Sequence, residues 1–245
     1  MTWQSRLARV VVDAVYPPRC VACHELTDAP SGLCRNCWSD ISFFSGAVCD
    51  LCGVSVPSAQ SDEVVVCEDC NRRRPVWSRG RTAVAYEGTG RNLVMMLKHG
   101  DRLDISPVLA GWLVGAGSSV IGPQSIVVPV PLHWRRLLLR KYNQASELAR
   151  HVAKRMDLSF VPDALHRIVA TPSLKGKSRH ERAEILVESI RVNPERETKL
   201  EGASVVLVDD VMTTGATLNA CATACFDAGA DRVVVLAVAR VSRPS

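Results

Sequence analysis

The chain has 245 residues, 47% of them hydrophobic and 22% charged, which suits one ordinary folded domain plus a small appendage. That balance excludes global disorder, and no apolar run reaches the roughly 18 residues that a membrane-spanning helix needs. The formal net charge of +5 is too small to argue by itself for a nucleic-acid partner.

Trp3, Leu7, Val10, Val11 and Ala14 recur at helical spacing and predict an amphipathic helix over residues 1–16, ahead of Pro17-Pro18. Arg6, Arg9 and Asp13 interrupt any apolar core of a secretory leader there, so a cytoplasmic protein without membrane insertion is expected. Residues 17–75 carry four C-x2-C knuckles: Cys20/Cys23, Cys34/Cys37, Cys49/Cys52 and Cys67/Cys70. Each knuckle puts two thiolates on one turn, and two knuckles complete a tetrahedral four-thiolate shell. In a cytosolic chain this spacing points to two structural Zn²⁺ ions rather than to disulfides. Sequential and cross-braced pairings of the knuckles both satisfy the spacing. His24, beside Cys23, reads as a bystander. Each filled four-thiolate site adds about −2, so the zinc-loaded chain is close to neutral.

Arg72-Arg73-Arg74-Pro75 reads as a linker, and a second domain is expected over 81–245. Thr82–Tyr86 predicts a strand. Leu93, Val94, Met96 and Leu97 predict a short helix, with Gly100 as its cap. Ser106-Pro107 opens another helix, and Ile126–Val130 is a short apolar strand. Asn143 caps a helix whose apolar face is Ala145, Leu148, Ala149, Val152 and Met156. Phe160-Val161 and Ser189–Val192 read as strands. Ser178-x-x-Glu181 has the form of a capping box. Val205–Asp209, a helix over Thr217–Ala228 and Val233–Val238 close a β-α-β unit. The alternation predicts a parallel sheet with helices on both faces. Cys221 and Cys225, one turn apart in an Ala-rich helix, read as core filling.

The segment from Val205 to Thr217 carries the chemistry. Four branched apolar residues lead to Asp209 and Asp210, at the strand end where open α/β sheets place ligands. Thr213, Thr214, Gly215, Ala216 and Thr217 follow, a hydroxyl-rich turn that opens a helix and aims backbone N–H groups at one phosphate. Carboxylates for ribose hydroxyls beside a phosphate loop suit a sugar phosphate.

This motif resembles the phosphoribosyl pyrophosphate (PRPP) motif of the type I phosphoribosyltransferases. The resemblance widens with the knuckles, Ala85-Tyr86-Glu87-Gly88, Leu97-Lys98-His99-Gly100, Val128-Pro129-Val130-Pro131-Leu132-His133 and Asn143-Gln144-Ala145. In that order they look like the ComF family, bacterial proteins linked in several species to DNA uptake during competence. The resemblance implies an α/β fold: a type I phosphoribosyltransferase-like parallel sheet, preceded by a small double zinc-ribbon module. It implies that Asp209 and Asp210 bind the ribose of PRPP and that Thr213–Thr217 hold its 5′-phosphate. Val130, Pro131 and Leu132 would face the pyrophosphate, with Arg136 and Arg140 as charge partners. Mg²⁺ would travel with PRPP, and residues 171–182, including Lys175, Lys177, Arg179 and Arg182, would close over it. The acceptor is not readable. The alternative is a non-catalytic PRPP- or single-stranded-DNA-binding competence factor, with DNA-translocation proteins as partners. The chain departs from the family pattern at Leu174, near Ile185, and at Lys141-Tyr142, where Gly-Phe is common.

Overall fold

Branched apolar runs build the centre of the molecule. The computed structural model describes residues 17–27, 32–56, 64–99, 102–168 and 189–241, apart from the side chains of Arg135, Arg136 and Leu139. The helix expected over 1–16, the closing loop at 171–182 and the capping box at Ser178 lie outside the described residues. Helices α1 (Arg35–Ser39) and α2 (Glu68–Arg72) each start on a knuckle, with Cys34 and Cys67 as their N-caps. Then come β1 (Arg79–Ala85), α3 (Gly88–His99), α4 (Ser106–Gly117), β2 (Ile126–Pro129), α5 (Trp134–Arg140), α6 (Gln144–Met156) and β3 (Ser159–Phe160). β4 (Leu165–Arg167), β5 (Ile190–Val192), α7 (Glu197–Leu200), β6 (Ser204–Met212), α8 (Ala216–Asp227) and β7 (Arg232–Arg240) complete the order.

The five-stranded sheet runs β1-β7-β6-β2-β3, and every neighbouring pair is parallel. Val205, Val206, Leu207 and Val208 of β6 are fully buried, because the sheet is covered on both faces. One face packs with α8 and the second cysteine module, through Leu207, Val235, Leu218, Leu51 and Trp77. The other packs with α3, α4 and α6, through Val206, Leu236, Leu97, Leu109 and Leu148. At about 25 cal/mol per Å² of apolar surface removed from water, such runs drive the assembly.

The second module sits directly on β1. Asp50 accepts from the Arg79 guanidinium and from Arg81 Nη2 at 3.3 Å, while its backbone carbonyl accepts from Gly80 N at 2.8 Å. A side chain at Gly80 would drive into the Leu51 carbonyl, so glycine permits this approach. The first module pairs with the end of β1 at Phe43↔Val84 and leans on α4 through an aromatic cluster of Trp38, Phe43 and Trp112.

Four features depart from the sequence expectation. β6 continues to Met212 instead of stopping at Asp209, because β7 keeps pairing with it through Val211↔Ala239 and Met212↔Arg240. β2 stops earlier, at Pro129↔Val208. The strand expected at Ser189–Val192 forms as β5, but it pairs antiparallel with β4 in a separate two-stranded sheet. Finally, residues after the Val130-Pro131-Leu132 turn form the helix α5.

Candidate functional site

The chain order reverses between β2 and β6: β3 follows β2 on one side, and β7 follows β6 on the other. The carboxyl ends of strands flanking such a reversal splay apart and leave a crevice. Asp209 and Asp210 line it from β6, past the point where β2 ends, and Val130-Pro131-Leu132 lines it from β2.

The two carboxylates differ. Asp209 Oδ1 accepts from the Asp210 backbone N–H at 2.8 Å. Burial pushes the Asp209 carboxyl up to about 8, and the neighbouring Asp210 charge adds to the rise. Lys98 and Arg167 offset part of it. Asp210 instead has a partner: its Oδ1 lies 3.0 Å from Lys98 Nζ, with side chains 13% and 19% exposed. Lys98 holds Asp210 in place, a role that sequence reading did not assign. Its signal was a lysine in the last turn of a helix that buries Leu93, Val94 and Leu97.

The chain around Lys98 is tied to the β2 loop. Tyr142 Oη donates to the Leu97 carbonyl at 2.6 Å, satisfying one of the carbonyls that a helix end leaves open. A phenylalanine lacks that hydroxyl, so the Tyr142 departure from the family pattern has a structural role. Lys141 takes a left-handed φ of 63°, the conformation that the glycine common at this position adopts without strain. Asn143 Nδ2 donates to the Val130 carbonyl at 3.0 Å, and its Oδ1 caps α6 at Ala145 N. Arg140, at the end of α5, donates to Gln144 Oε1 at 3.2 Å, and its guanidinium touches neither Asp209 nor Asp210. Arg136 has no described side chain.

Downstream, Thr213 and Thr214 are exposed, and Gly215 is the N-cap of α8 with φ 77°. The loop therefore ends on the positive end of a twelve-residue helix, with Ala216 and Thr217 in its first turn. Thr213, Thr214, Gly215, Ala216 and Thr217 thus form one strand-turn-helix with the acidic pair, as expected.

The cysteines gather as Cys20/Cys23/Cys34/Cys37 and Cys49/Cys52/Cys67/Cys70, which decides for sequential pairing of the knuckles. In each set the sulfurs lie within 4.8 Å of one another, including Cys23–Cys34 at 3.5 Å and Cys52–Cys67 at 3.7 Å. Tetrahedral zinc with Zn–S near 2.3 Å sets sulfurs about 3.8 Å apart, so both sets fit the ion. In the second set, hydrogen bonds from Cys52 and Cys70 hold the Cys49 thiol far below its usual range, and the Cys49 and Cys52 sulfurs push Cys70 far above it. Four sulfurs this close cannot all ionise without a cation among them. His24 lies outside both sets and faces Arg102.

Comparison with known proteins gives the same two parts. Residues 11–71 match the double zinc ribbon domain, and residues 143–244 match the phosphoribosyl transferase domain. Competence protein F of Haemophilus influenzae is 26% identical over 228 residues, covering 91% of this chain and 96% of that protein. DNA utilization protein YhgH of Escherichia coli is 27% identical over 214 residues, covering 85% and 90%. Competence protein ComFC of Bacillus subtilis is 25% identical over 204 residues, covering 80% and 79%.

Proposed function

The chain belongs to the ComF family, and on that premise we propose that it binds PRPP with Mg²⁺ and transfers the phosphoribosyl group to an acceptor. The observation that carries this reading is the meeting of the Asp209–Asp210 pair and the Gly215 helix start at the β2/β6 crevice. Asp209 and Asp210 accept from the ribose hydroxyls. The N–H groups and hydroxyls from Thr213 to Thr217 hold the 5′-phosphate. The Val130-Pro131-Leu132 turn faces the pyrophosphate, and Arg140 adds positive charge as the C1–O bond breaks. Mg²⁺ supplies charge neutralisation on the pyrophosphate and is held mostly by substrate and water. Lys98 is a positioning residue that holds the Asp210 carboxylate at 3.0 Å. The acceptor attacks C1 and pyrophosphate leaves.

Purified protein given Mg²⁺, PRPP and a panel of nucleobases and nucleotides is expected to release pyrophosphate in an acceptor-dependent way. PRPP binding with no release across the panel would favour the alternative, a non-catalytic PRPP-binding competence factor.

The names of the relatives, competence and DNA utilization proteins, favour a second, compatible reading in which this chain handles DNA, which we propose is single-stranded and met together with DNA-translocation proteins. Arg72, Arg73 and Arg74 are exposed beside the second module and suit phosphate contacts. Anisotropy of a labelled oligonucleotide should then show binding that weakens steeply with salt, with a slope set by the few phosphates neutralised. No binding at low salt removes DNA from the account. Residence in the cytoplasm is part of the proposal. No described helix is long and apolar enough to cross a membrane.

A further inference from the structure

We infer that the second cysteine cluster is coupled to the phosphate loop through Trp77 and Arg240, so that zinc at the cluster and PRPP at the loop each strengthen the binding of the other. This rests on the PRPP reading above and adds a regulation of that site.

Two side chains span from one to the other. Trp77 is 5% exposed, and its Nε1 donates to the Leu51 carbonyl at 2.7 Å, within the Cys49–Cys52 knuckle. The far edge of the same indole lies against Gly215: a Cβ there would sit 3.0 Å from Trp77 Cη2. The chain just before it is pinned to α8, because Val76 N donates to Asn219 Oδ1 at 2.9 Å. Arg240, at the end of β7, is 8% exposed and donates to the Thr213 carbonyl at 3.1 Å. Among the described residues it has no carboxylate partner.

Between cluster and loop the packing is otherwise incomplete. A cavity of about 210 Å³ lies there, walled by Cys52 and Cys70 on one side and by Met212 to Gly215 on the other, with Trp77 and Arg240 also on its wall. The loop therefore rests on these two side chains more than on continuous packing. A zinc-thiolate cluster carries about −2 and is the counter-charge for Arg240. Without the ion, the guanidinium loses that counter-charge and the Cys49–Cys52 turn whose Leu51 carbonyl holds Trp77 is no longer closed by its four-ligand shell. Among the described residues, the first module touches none from Thr213 to Gly215: it pairs with β1 at Phe43–Val84, caps α3 through Asp40 and Thr89, and meets α4 through aromatic rings and Arg102 through the Val21 carbonyl. Coupling of this kind is reciprocal, so it can be read at either end.

The test uses the full zinc-loaded chain. Release of its zinc to a chromogenic chelator is followed with and without saturating Mg²⁺–PRPP, whose binding is measured by calorimetry. One equivalent is expected to leave about fivefold more slowly or better with PRPP, while the other keeps its rate. Trp77→Phe, which keeps a ring and loses the N–H, should weaken PRPP binding about fivefold or more and abolish the protection; Arg240→Gln should do the same. Arg102→Ala, at the first module, should change neither. PRPP binding with both ions slowed equally, or neither slowed, overturns the coupling. So does wild-type affinity in folded Trp77→Phe and Arg240→Gln. Absence of PRPP binding to the wild type overturns the PRPP reading and the coupling together.

Discussion

Asp209→Ala with Asp210→Ala is expected to remove measurable PRPP binding while the fold survives. The double substitution takes away the acceptors for the ribose hydroxyls, a loss on the order of 2–4 kcal/mol, or about 30- to 700-fold in affinity. The fold is expected to persist because the four fully buried residues Val205–Val208 and the pairing of β6 with β7 are untouched. Lys98 loses its partner, and at 19% exposure it retains some access to water, so the stability cost is modest. Wild-type binding should also depend on pH in one direction. Burial and the Asp210 charge raise Asp209 to about 8, so its carboxyl is mostly protonated at pH 7. Accepting from ribose hydroxyls favours the ionised form. Binding at pH 7 should therefore release close to one proton, and affinity should rise from pH 6 to pH 8. Calorimetry in buffers of different ionisation enthalpy reads both effects. Equal affinity in wild type and double variant, or no proton release, would remove the acidic pair from the site.

Each chain is expected to hold two zinc ions, and losing the second is expected to cost far more than losing the first. Every ligand of a four-thiolate shell is needed for the tetrahedron, and structural zinc is part of the folding free energy of its module. The modules differ in what they cover. Cys49, Leu51, Cys52 and Cys70 belong to the apolar cluster under α8, with Leu207, Val235 and Trp77, so the second module roofs one face of the sheet. Cys23, Cys34 and Cys37 are partly or fully exposed. Elemental analysis should give about two zinc ions for the wild type and about one for Cys37→Ser or Cys70→Ser. Cys70→Ser should lower stability by about 4–5 kcal/mol or more, the range of a lost metal site, and Cys37→Ser by clearly less. Intramolecular disulfides in mass spectra of the wild type, or equal losses from the two variants, would contradict this.

Features encoded within a few adjacent residues were legible without the structure. The knuckles show because thiolates for one ion must share tight turns. The PRPP-type motif shows because a buried strand, an acidic pair and a phosphate-binding helix start occupy consecutive residues. The same local logic gave α6, with its Asn143 cap, and the core role of Cys221 and Cys225.

The rest was decided by contacts between distant residues. Spacing permits two pairings of the knuckles, and only the folded module brings Cys20/Cys23 to Cys34/Cys37. The extension of β6 to Met212 depends on β7, which lies later in the chain. The same holds for β5, whose apolar run reads as a strand but finds β4 rather than the main sheet. Lys98, Trp77 and Arg240 carry no motif that assigns them a role. Lys98 meets Asp210 because α3 packs over β1 and β7 and its last turn reaches the end of β6, and Trp77 reaches both Leu51 and the phosphate loop because the second module sits on β1. Local sequence determined which chemistry this protein carries. The packing of distant elements decided which carboxylate is paired with Lys98, which one burial pushes toward its protonated form, and what supports the phosphate loop.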